Sequence, residues 1–171
     1  MRDRSHGEFI HRNGFVRHQC PRKPQRWHDV LMRPFRPGPR YEITMDAEKP
    51  LTFVWPSGVR WRTNKHYYSD SGSIPMIAQA VVGAGDLYLL PYMFHDDIYR
   101  AHGIWISNHP DDPFRFCPLT RAEADRSCLH EMILADGGTV FDADLIRGTV
   151  RLCGWAPWRS KPKRNRTKGR V

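Results

Sequence analysis

The chain has 171 residues, of which 40% are hydrophobic and 12% aromatic, a composition typical of a globular domain with its own core. No apolar run approaches the roughly 18 to 20 residues of a membrane-spanning helix, and the opening MRDRSHGEFIHRNG lacks the apolar region of a signal peptide. We therefore expect a chain without a transmembrane segment that is made in a cytoplasm and is not secreted.

The formal net charge of +9 is unevenly distributed along the chain. Residues 1–40 have ten Lys or Arg against three acids, a balance of +7, and residues 158–171 have seven basic residues and no acid. Residues 41–157 have ten basic and fifteen acidic residues, a balance of −5. This division predicts a basic, Pro-rich N-terminal arm over 1–39, a single domain over 40–157 and a basic tail over 158–171.

The basic tail suits a polyanion, because each Lys or Arg that neutralises a phosphate releases a bound counterion. It also suits an acidic protein partner, the acidic body of the chain itself, or a solvated segment without a partner. The N-terminal arm interleaves its arginines with apolar residues such as Phe9, Phe15 and Trp27, which indicates a strap that wraps a surface. The polyanion-binding candidates of the tail are Arg159, Lys161, Lys163, Arg164, Arg166, Lys168 and Arg170.

Cysteine spacing gives no sign of a cofactor site. Cys20, Cys117, Cys128 and Cys153 are scattered and form no Cys-x-x-Cys pair. We expect reduced thiols, mostly buried, rather than a structural zinc site, and no cofactor.

Strands are predicted first along the body of the chain. RYEITM (40–45), LTFVW (51–55) and VRWRTNKHYY (59–68) are typical of strands, and a turn at 56–58 separates the last two. In the third, Val59, Trp61 and Thr63 share one face. Together they predict a small antiparallel meander.

Three helices are predicted after a turn-rich stretch and a short apolar segment. The first runs from about 87 to 102, and the loop over 104–118 is broken by prolines. The second begins with a capping box of Thr120 and Glu123 and ends at Gly137. The third spans about 140–152, with Phe141, Leu145 and Ile146 as its inner face. The predicted fold class is α+β.

Polar residues occupy the apolar faces of the first two helices. His95 shares a helical stripe with Phe94 and Ile98, and Tyr99 follows His95 by one turn. Asp125 begins the apolar stripe of the second helix. A buried carboxylate requires a partner, so neighbouring helices are expected to join His95, Tyr99 and Asp125. Such a cluster can orient a general base, or it can hold the helices together without chemistry.

The HDDIY stretch resembles the His-Asp-x-x-Tyr signature of phospholipases A2, and EADRSCLHEM resembles the later helix of that fold. The resemblance implies that His95 is the base that activates water, that Asp96 is a calcium ligand, that Asp125 orients His95, and that Tyr99 supports Asp125. The Gly-rich calcium loop and the disulfide framework of those enzymes have no counterpart in this sequence.

A longer resemblance, over roughly residues 41–157, is to domain-of-unknown-function family 1353, which is common in tailed phages and prophages. SDSGSIP is similar to the first motif of that family through Asp70, Ser73, Ile74 and Pro75. The HDDIY stretch is similar to the second motif, and Ala124 with Asp125 to the third. The resemblance implies a phage setting and does not imply a reaction.

Three functions remain open at this point. The first is a virion-associated or assembly protein of a phage, in the virion or the host cytoplasm, whose basic arms dock on other phage structural proteins, on its own copies or on nucleic acid. The second is a calcium-dependent ester hydrolase of phospholipase-A2 type, with His95, Asp125 and Tyr99 as its catalytic group. The third is a module that binds nucleic acid without sequence preference.

Overall fold

The computed structural model describes most of the predicted body and a part of the N-terminal segment. The described residues are 5–10, 12, 15–19, 41–45, 49–69, 88–153 and 158. Within them the fold is α+β, with antiparallel sheets and three helical rods. None of the described helices has the length and apolar character needed to cross a membrane.

In the described part of the chain, eight strands form two antiparallel sheets. One has three strands in the order β2-β3-β6, and the other has five in the order β1-β4-β5-β7-β8. The strands of the smaller sheet are β2 (Phe15–Gln19), β3 (Tyr41–Met45) and β6 (His66–Ser69). Those of the larger sheet are β1 (Glu8–Ile10), β4 (Thr52–Val54), β5 (Arg60–Arg62), β7 (Gly103–Ser107) and β8 (Arg115–Pro118).

The predicted α+β fold with antiparallel strands and three helices is confirmed, but the strands expected in one meander are divided between the two sheets. RYEITM contributes β3 to the smaller sheet, and LTFVW contributes β4 to the larger one. The predicted third strand, 59–68, is interrupted after Arg62 and supplies β5 to one sheet and β6 to the other. Its alternation is confirmed, since Trp61 and Thr63 are buried on one face and Arg60 and Arg62 are only partly covered.

The stretch predicted as a loop over 104–118 is largely a β-hairpin. Strand β7 pairs with β8 through Ile104 opposite Cys117 and Trp105 opposite Phe116. The prolines that suggested a broken loop, Pro110 and Pro113, lie in the turn between these strands. The prediction was wrong because the turn signals were extended over the apolar residues on either side of them.

Two stretches of the predicted N-terminal arm are strands of the folded body. In β1, Phe9 lies opposite Phe53 of β4 and is 7% exposed. Its ring centroid is 4.8 Å from that of Phe53 and 5.9 Å from that of Phe94. Strand β2 pairs with β3 along its full length. The segment from 20 to 40 and the tail from 159 onward lie outside the described residues.

The first helix, α1 (Leu89–Ala101), packs against β6, β7 and the second helical rod. Pro91 lies in its first turn, where the missing N–H has no intrahelical acceptor to lose. The helix ends at His102, which adopts the left-handed conformation with φ 55° and donates its N–H to the carbonyl of Ile98. Gly103 then begins β7, so the sequence placed the end of this helix correctly.

The second rod joins α2 (Arg121–Arg126), a π-helical segment (Ser127–Glu131) and α3 (Met132–Ala135). The predicted capping box is present, since the Glu123 N–H donates to Thr120 Oγ1 and the Thr120 N–H donates to Glu123 Oε2 at 2.7 Å. Gly137 follows α3 with φ 96°, a conformation that glycine adopts without a Cβ clash. The π-helical segment had no recognisable signal in the sequence.

The third rod is α4 (Val140–Cys153), which packs on α2, α3 and the π-helical segment. Its inner face includes Ala143 and Ile146, both 0% exposed, and the partly buried Leu145 also packs against the core as predicted. The prediction that Phe141 faces inward is wrong, because that side chain is 66% exposed.

Candidate functional site

A cluster of three polar side chains joins α1 to α2 inside the core. His95 and Tyr99 lie one turn apart on the inner face of α1, and Asp125 lies near the end of α2. His95 Nε2 is 3.1 Å from Asp125 Oδ1, and the Tyr99 hydroxyl donates to the same oxygen at 2.5 Å. The rings of His95 and Tyr99 have centroids 4.0 Å apart. The structure thus brings together the three residues that the sequence singled out.

Two arginines complete the surroundings of Asp125. Arg121 Nε is 3.6 Å from Asp125 Oδ2, one helical turn earlier on α2, and also donates to the Tyr99 hydroxyl at 3.1 Å. Arg151 Nη1, from α4, is 3.4 Å from Asp125 Oδ2. Arg121 further donates to the carbonyl of Val150 at 3.1 Å, so the network holds α1, α2 and α4 together.

Sequence reasoning missed both arginines. The i, i+4 spacing of Arg121 and Asp125 was visible in the sequence and would have identified the first of them. The second, Arg151, reaches Asp125 only because of the way α4 packs, and a local sequence pattern does not determine that packing.

The electrostatics of the cluster keep Asp125 ionised. Burial would raise the pKa of this carboxyl, but hydrogen bonds from His95 and Tyr99, together with the charge of Arg121, hold the pKa below its usual value. Burial and the hydrogen bond to Asp125 raise the pKa of the Tyr99 phenol. At neutral pH the tyrosine therefore remains a donor and the aspartate an acceptor.

A second buried carboxylate, Asp97, lies on α1 outside this cluster and was not identified from the sequence. It is 1% exposed. It accepts hydrogen bonds from the backbone N–H of Asn64 at 2.7 Å and from the Asn64 side-chain amide at 2.8 Å. Asn64 in turn accepts a bond from the indole N–H of Trp105 at 2.9 Å. Burial raises the pKa of Asp97 to about 6, although the bonds from Asn64 oppose the rise.

Access to the cluster is restricted on the side of His95. The side chain of His95 is 9% exposed and that of Asp125 is 2% exposed. Trp158 packs edge-on against Tyr99 with ring centroids 5.0 Å apart, and stacks on His102 at 4.4 Å.

An open pocket of about 380 Å³ lies between α2 and α4, beside the cluster. Its walls include Asp125 but neither His95 nor Tyr99. The lining residues are Ala122, Asp125, Arg126, Arg147, Gly148 and Arg151. A small molecule in this pocket would meet arginines and one face of the carboxylate, and it would not meet the imidazole.

The remaining predicted site residues are placed only in part. Asp96, the predicted calcium ligand, is half-buried on α1. Within the described residues, no three His, Cys, Asp or Glu side chains are arranged to hold a metal ion. Ala124 is fully buried on α2. Asp70, Ser73, Ile74 and Pro75 of the family motif lie outside the described residues, as do all seven polyanion-binding candidates of the tail.

Comparison of the chain with models of protein families, with curated proteins and with solved structures gives no match. Fold and site together define an α+β protein whose helical half is built around a buried His–Asp–Tyr cluster with two arginines at its edge.

Proposed function

We propose that this chain is a virion-associated or assembly protein of phage type, in which His95, Tyr99 and Asp125 hold the helices together and carry out no reaction. The observation that carries the structural part of the proposal is the set of groups around Asp125. One carboxylate oxygen faces His95 and Tyr99, and the other faces Arg121 and Arg151. A buried carboxylate with this many partners is satisfied as a structural element.

The low exposure of His95 supports the same proposal. A general base must come within hydrogen-bond distance of the proton that it removes, directly or through one water. The imidazole is 9% exposed, and the neighbouring pocket does not reach it. Among the described residues, the imidazole therefore offers an ester little direct access.

The charge distribution supports the docking part of the proposal. Residues 41–157 have a balance of −5, and the tail over 158–171 has +7. Residues 1–40 also have +7, but they include β1 and β2 of the folded body, so only a part of them is a candidate docking segment. Basic terminal segments on an acidic body suit assembly on neighbouring copies, on other structural proteins or on nucleic acid. The phage setting is proposed from the resemblance to family 1353.

A second function, a calcium-dependent ester hydrolase, is favoured by one feature of the same cluster. His95 Nε2 lies 3.1 Å from Asp125. A carboxylate at Nε2 orients the ring and leaves Nδ1 to accept a proton, which is the arrangement of an imidazole base with an orienting acid. In that case His95 would activate water, Asp125 would orient it, Tyr99 would support Asp125, and Asp96 would contribute to a calcium site.

Hydrolysis of a panel of phospholipids, with calcium and with a chelator, separates these functions. The structural proposal expects no turnover by the wild-type chain above the level of a His95→Ala variant. Calcium-dependent turnover by the wild type, lost in a His95→Ala variant that is fully folded by circular dichroism, would establish the hydrolase and refute the structural proposal. Asp111→Ala, which changes a side chain that is 93% exposed, is prepared in the same way as the control variant and should show the same activity as the wild type.

The docking part is tested separately in the full-length chain by changing the seven basic residues of the tail to glutamine. Binding to DNA duplexes of unrelated sequence should be similar among duplexes and should fall steeply between about 50 and 200 mM salt. The glutamine variant should bind more weakly and with a shallower salt dependence. Binding that selects one DNA sequence and persists at high salt would contradict the proposal that the tail binds the phosphate backbone through charge alone.

A further inference from the structure

The open pocket of about 380 Å³ between α2 and α4 is lined by residues that share one side of each helix. We call it the α2–α4 pocket. Its lining residues on α2 follow one another at i, i+3 and i+4 and are Ala122, Asp125 and Arg126. Those on α4 follow at i, i+1 and i+4 and are Arg147, Gly148 and Arg151. These spacings place each set on one face of its helix, so the two sequences together determine what faces the pocket.

Two small residues leave the space between the helices. Ala122 is exposed on α2, and Gly148 is exposed on α4 with nothing within 4 Å of the position that a Cβ would occupy. A glycine inside a helix is destabilising relative to alanine, because the unfolded chain has more conformations to lose. A volume of about 380 Å³ lies within the roughly 300 to 1,000 Å³ of small-molecule sites. The α2–α4 pocket therefore has room for a small molecule.

The lining of the pocket is positively charged. It contains three arginines and one carboxylate, a balance of +2. Arg147 is paired with Asp144 of the same helix at 3.2 Å. Asp125 is paired with Arg121 at 3.6 Å, so these two outer charges cancel and leave the balance unchanged. An anion is therefore favoured in the pocket over a cation.

The bonds that these arginines make within the chain leave donors for a ligand. Arg126 is exposed and forms no ion pair with any described residue. Arg147 uses one Nη in its bond to Asp144, and Arg151 uses one Nη in its contact with Asp125. The side chains of Arg147 and Arg151 are 43% and 53% exposed. Since a guanidinium has five N–H donors, the carboxylates hold these two groups in place and leave further donors for a ligand.

The negative charge of Asp125 is already compensated by the chain itself. Its side chain is 2% exposed. One of its oxygens accepts a hydrogen bond from Tyr99, and the other faces Arg121 and Arg151. An anion in the pocket would therefore meet a shielded carboxylate, whereas the charge of Arg126 has no such compensation.

We propose that the α2–α4 pocket binds a phosphate group and that its ligands are small phosphomonoesters. A phosphomonoester has a charge of about −1.5 to −2 at pH 7, which matches the balance of the lining, whereas a single carboxylate does not. Arginine also matches the oxygens of a phosphate through paired N–H donors. The basic tail over 158–171 has seven basic residues and no acid, so the arginines of the pocket repel it as an occupant. The proposal is independent of whether the His95 cluster is structural or catalytic.

Isothermal titration calorimetry of the full-length chain with inorganic phosphate, at an ionic strength kept constant with chloride, tests the proposal. The wild type should bind phosphate saturably at one site, and ribose 5-phosphate should bind at least as tightly. Arg126→Gln should weaken binding by about tenfold. Arg115→Gln is the matched control and should bind as the wild type does, because Arg115 is an exposed arginine of β8 outside the pocket. Binding without saturation, failure of ribose 5-phosphate to bind, or equal weakening by Arg115→Gln would overturn the proposal.

Filling the pocket without changing its charge gives a second test. Gly148→Leu and Ala122→Leu place a side chain in the gap from opposite walls, and each should weaken phosphate binding by at least about tenfold. Both should melt no lower than the wild type, because leucine is a good helix former. The variant with the seven basic tail residues changed to glutamine should bind phosphate as the wild type does. Binding that survives both leucine variants or is lost in the tail variant would refute the assignment, as would displacement of phosphate from the tail variant by a short DNA strand without terminal phosphates.

Discussion

Removal of the Asp125 carboxylate is the most direct perturbation of the core. In Asp125→Ala the Tyr99 hydroxyl and the His95 imidazole lose their common acceptor, and both residues are 7% exposed. Arg151 has a side chain that is 53% exposed and returns to water at little cost, so its loss of Asp125 adds little to the destabilisation. Breaking a buried polar network from one side costs on the order of 3 kcal/mol. That is a large part of the roughly 5 to 15 kcal/mol that stabilise an ordinary domain.

Urea denaturation followed by circular dichroism measures this loss, provided that the transition is two-state. Asp111→Ala is the control for an aspartate at the surface and should change stability by less than about 0.5 kcal/mol. If His95 and Asp125 act as one unit, the double variant His95→Ala/Asp125→Ala should cost at least about 1 kcal/mol less than the sum of the single variants. A cost below about 1 kcal/mol for Asp125→Ala, or strict additivity, would refute the account of a coupled buried cluster.

Three further predictions concern other parts of the core. Burial raises the pKa of Asp97 from 3.8 to about 6, so the folded protein binds more protons than the unfolded protein between these pH values. The stabilising contribution of protonated Asp97 is therefore complete below about pH 4 and is lost as pH rises through 6. Stability should therefore be higher at pH 5 than at pH 7 by about 1 kcal/mol, and Asp97→Asn should lack this difference in denaturation at the two pH values. Phe9→Ala should cost about 3 kcal/mol in the same assay, because the side chain is buried between two rings; a loss below 1 kcal/mol would mean that the N-terminal strand is dispensable. Gly103→Ala should lower the melting temperature measurably, because a Cβ there would lie 2.5 Å from the carbonyl of Cys117.

The parts of the structure that local patterns determine were predictable. The capping box of Thr120 and Glu123 requires only residues three apart, and it is present as expected. The pairing of His95 with Asp125 followed from two helical stripes and from the rule that a buried carboxylate needs a donor. In both cases the interactions that stabilise the feature lie within one helix or between two neighbouring helices.

Features that depend on distant partners could not be predicted in this way. Asp97 is satisfied by Asn64, which lies 33 residues earlier between β5 and β6. No local sequence pattern identifies such a distant partner. Stretch 59–68 was predicted as one strand because strand-forming residues continue beyond the alternating first half, past the point where the chain changes sheet. Phe141 was placed inside because it is large and apolar, whereas the packing of α4 selected the smaller Ala143.

The π-helical segment has a consequence for how the second rod tolerates insertions and deletions. Its widened turn, Ser127–Glu131, accommodates one residue more than a regular α-helix would over the same rise. Deleting one residue there would restore regular winding and leave the two sides in nearly the same orientation, because the widened turn already absorbs the extra residue. Ala124 and Asp125 before it, and Met132 and Ile133 after it, are all buried and would keep their common side. A one-residue deletion within this short stretch should therefore be tolerated better than the same deletion in a regular part of the rod, where it would rotate one side by about 100°.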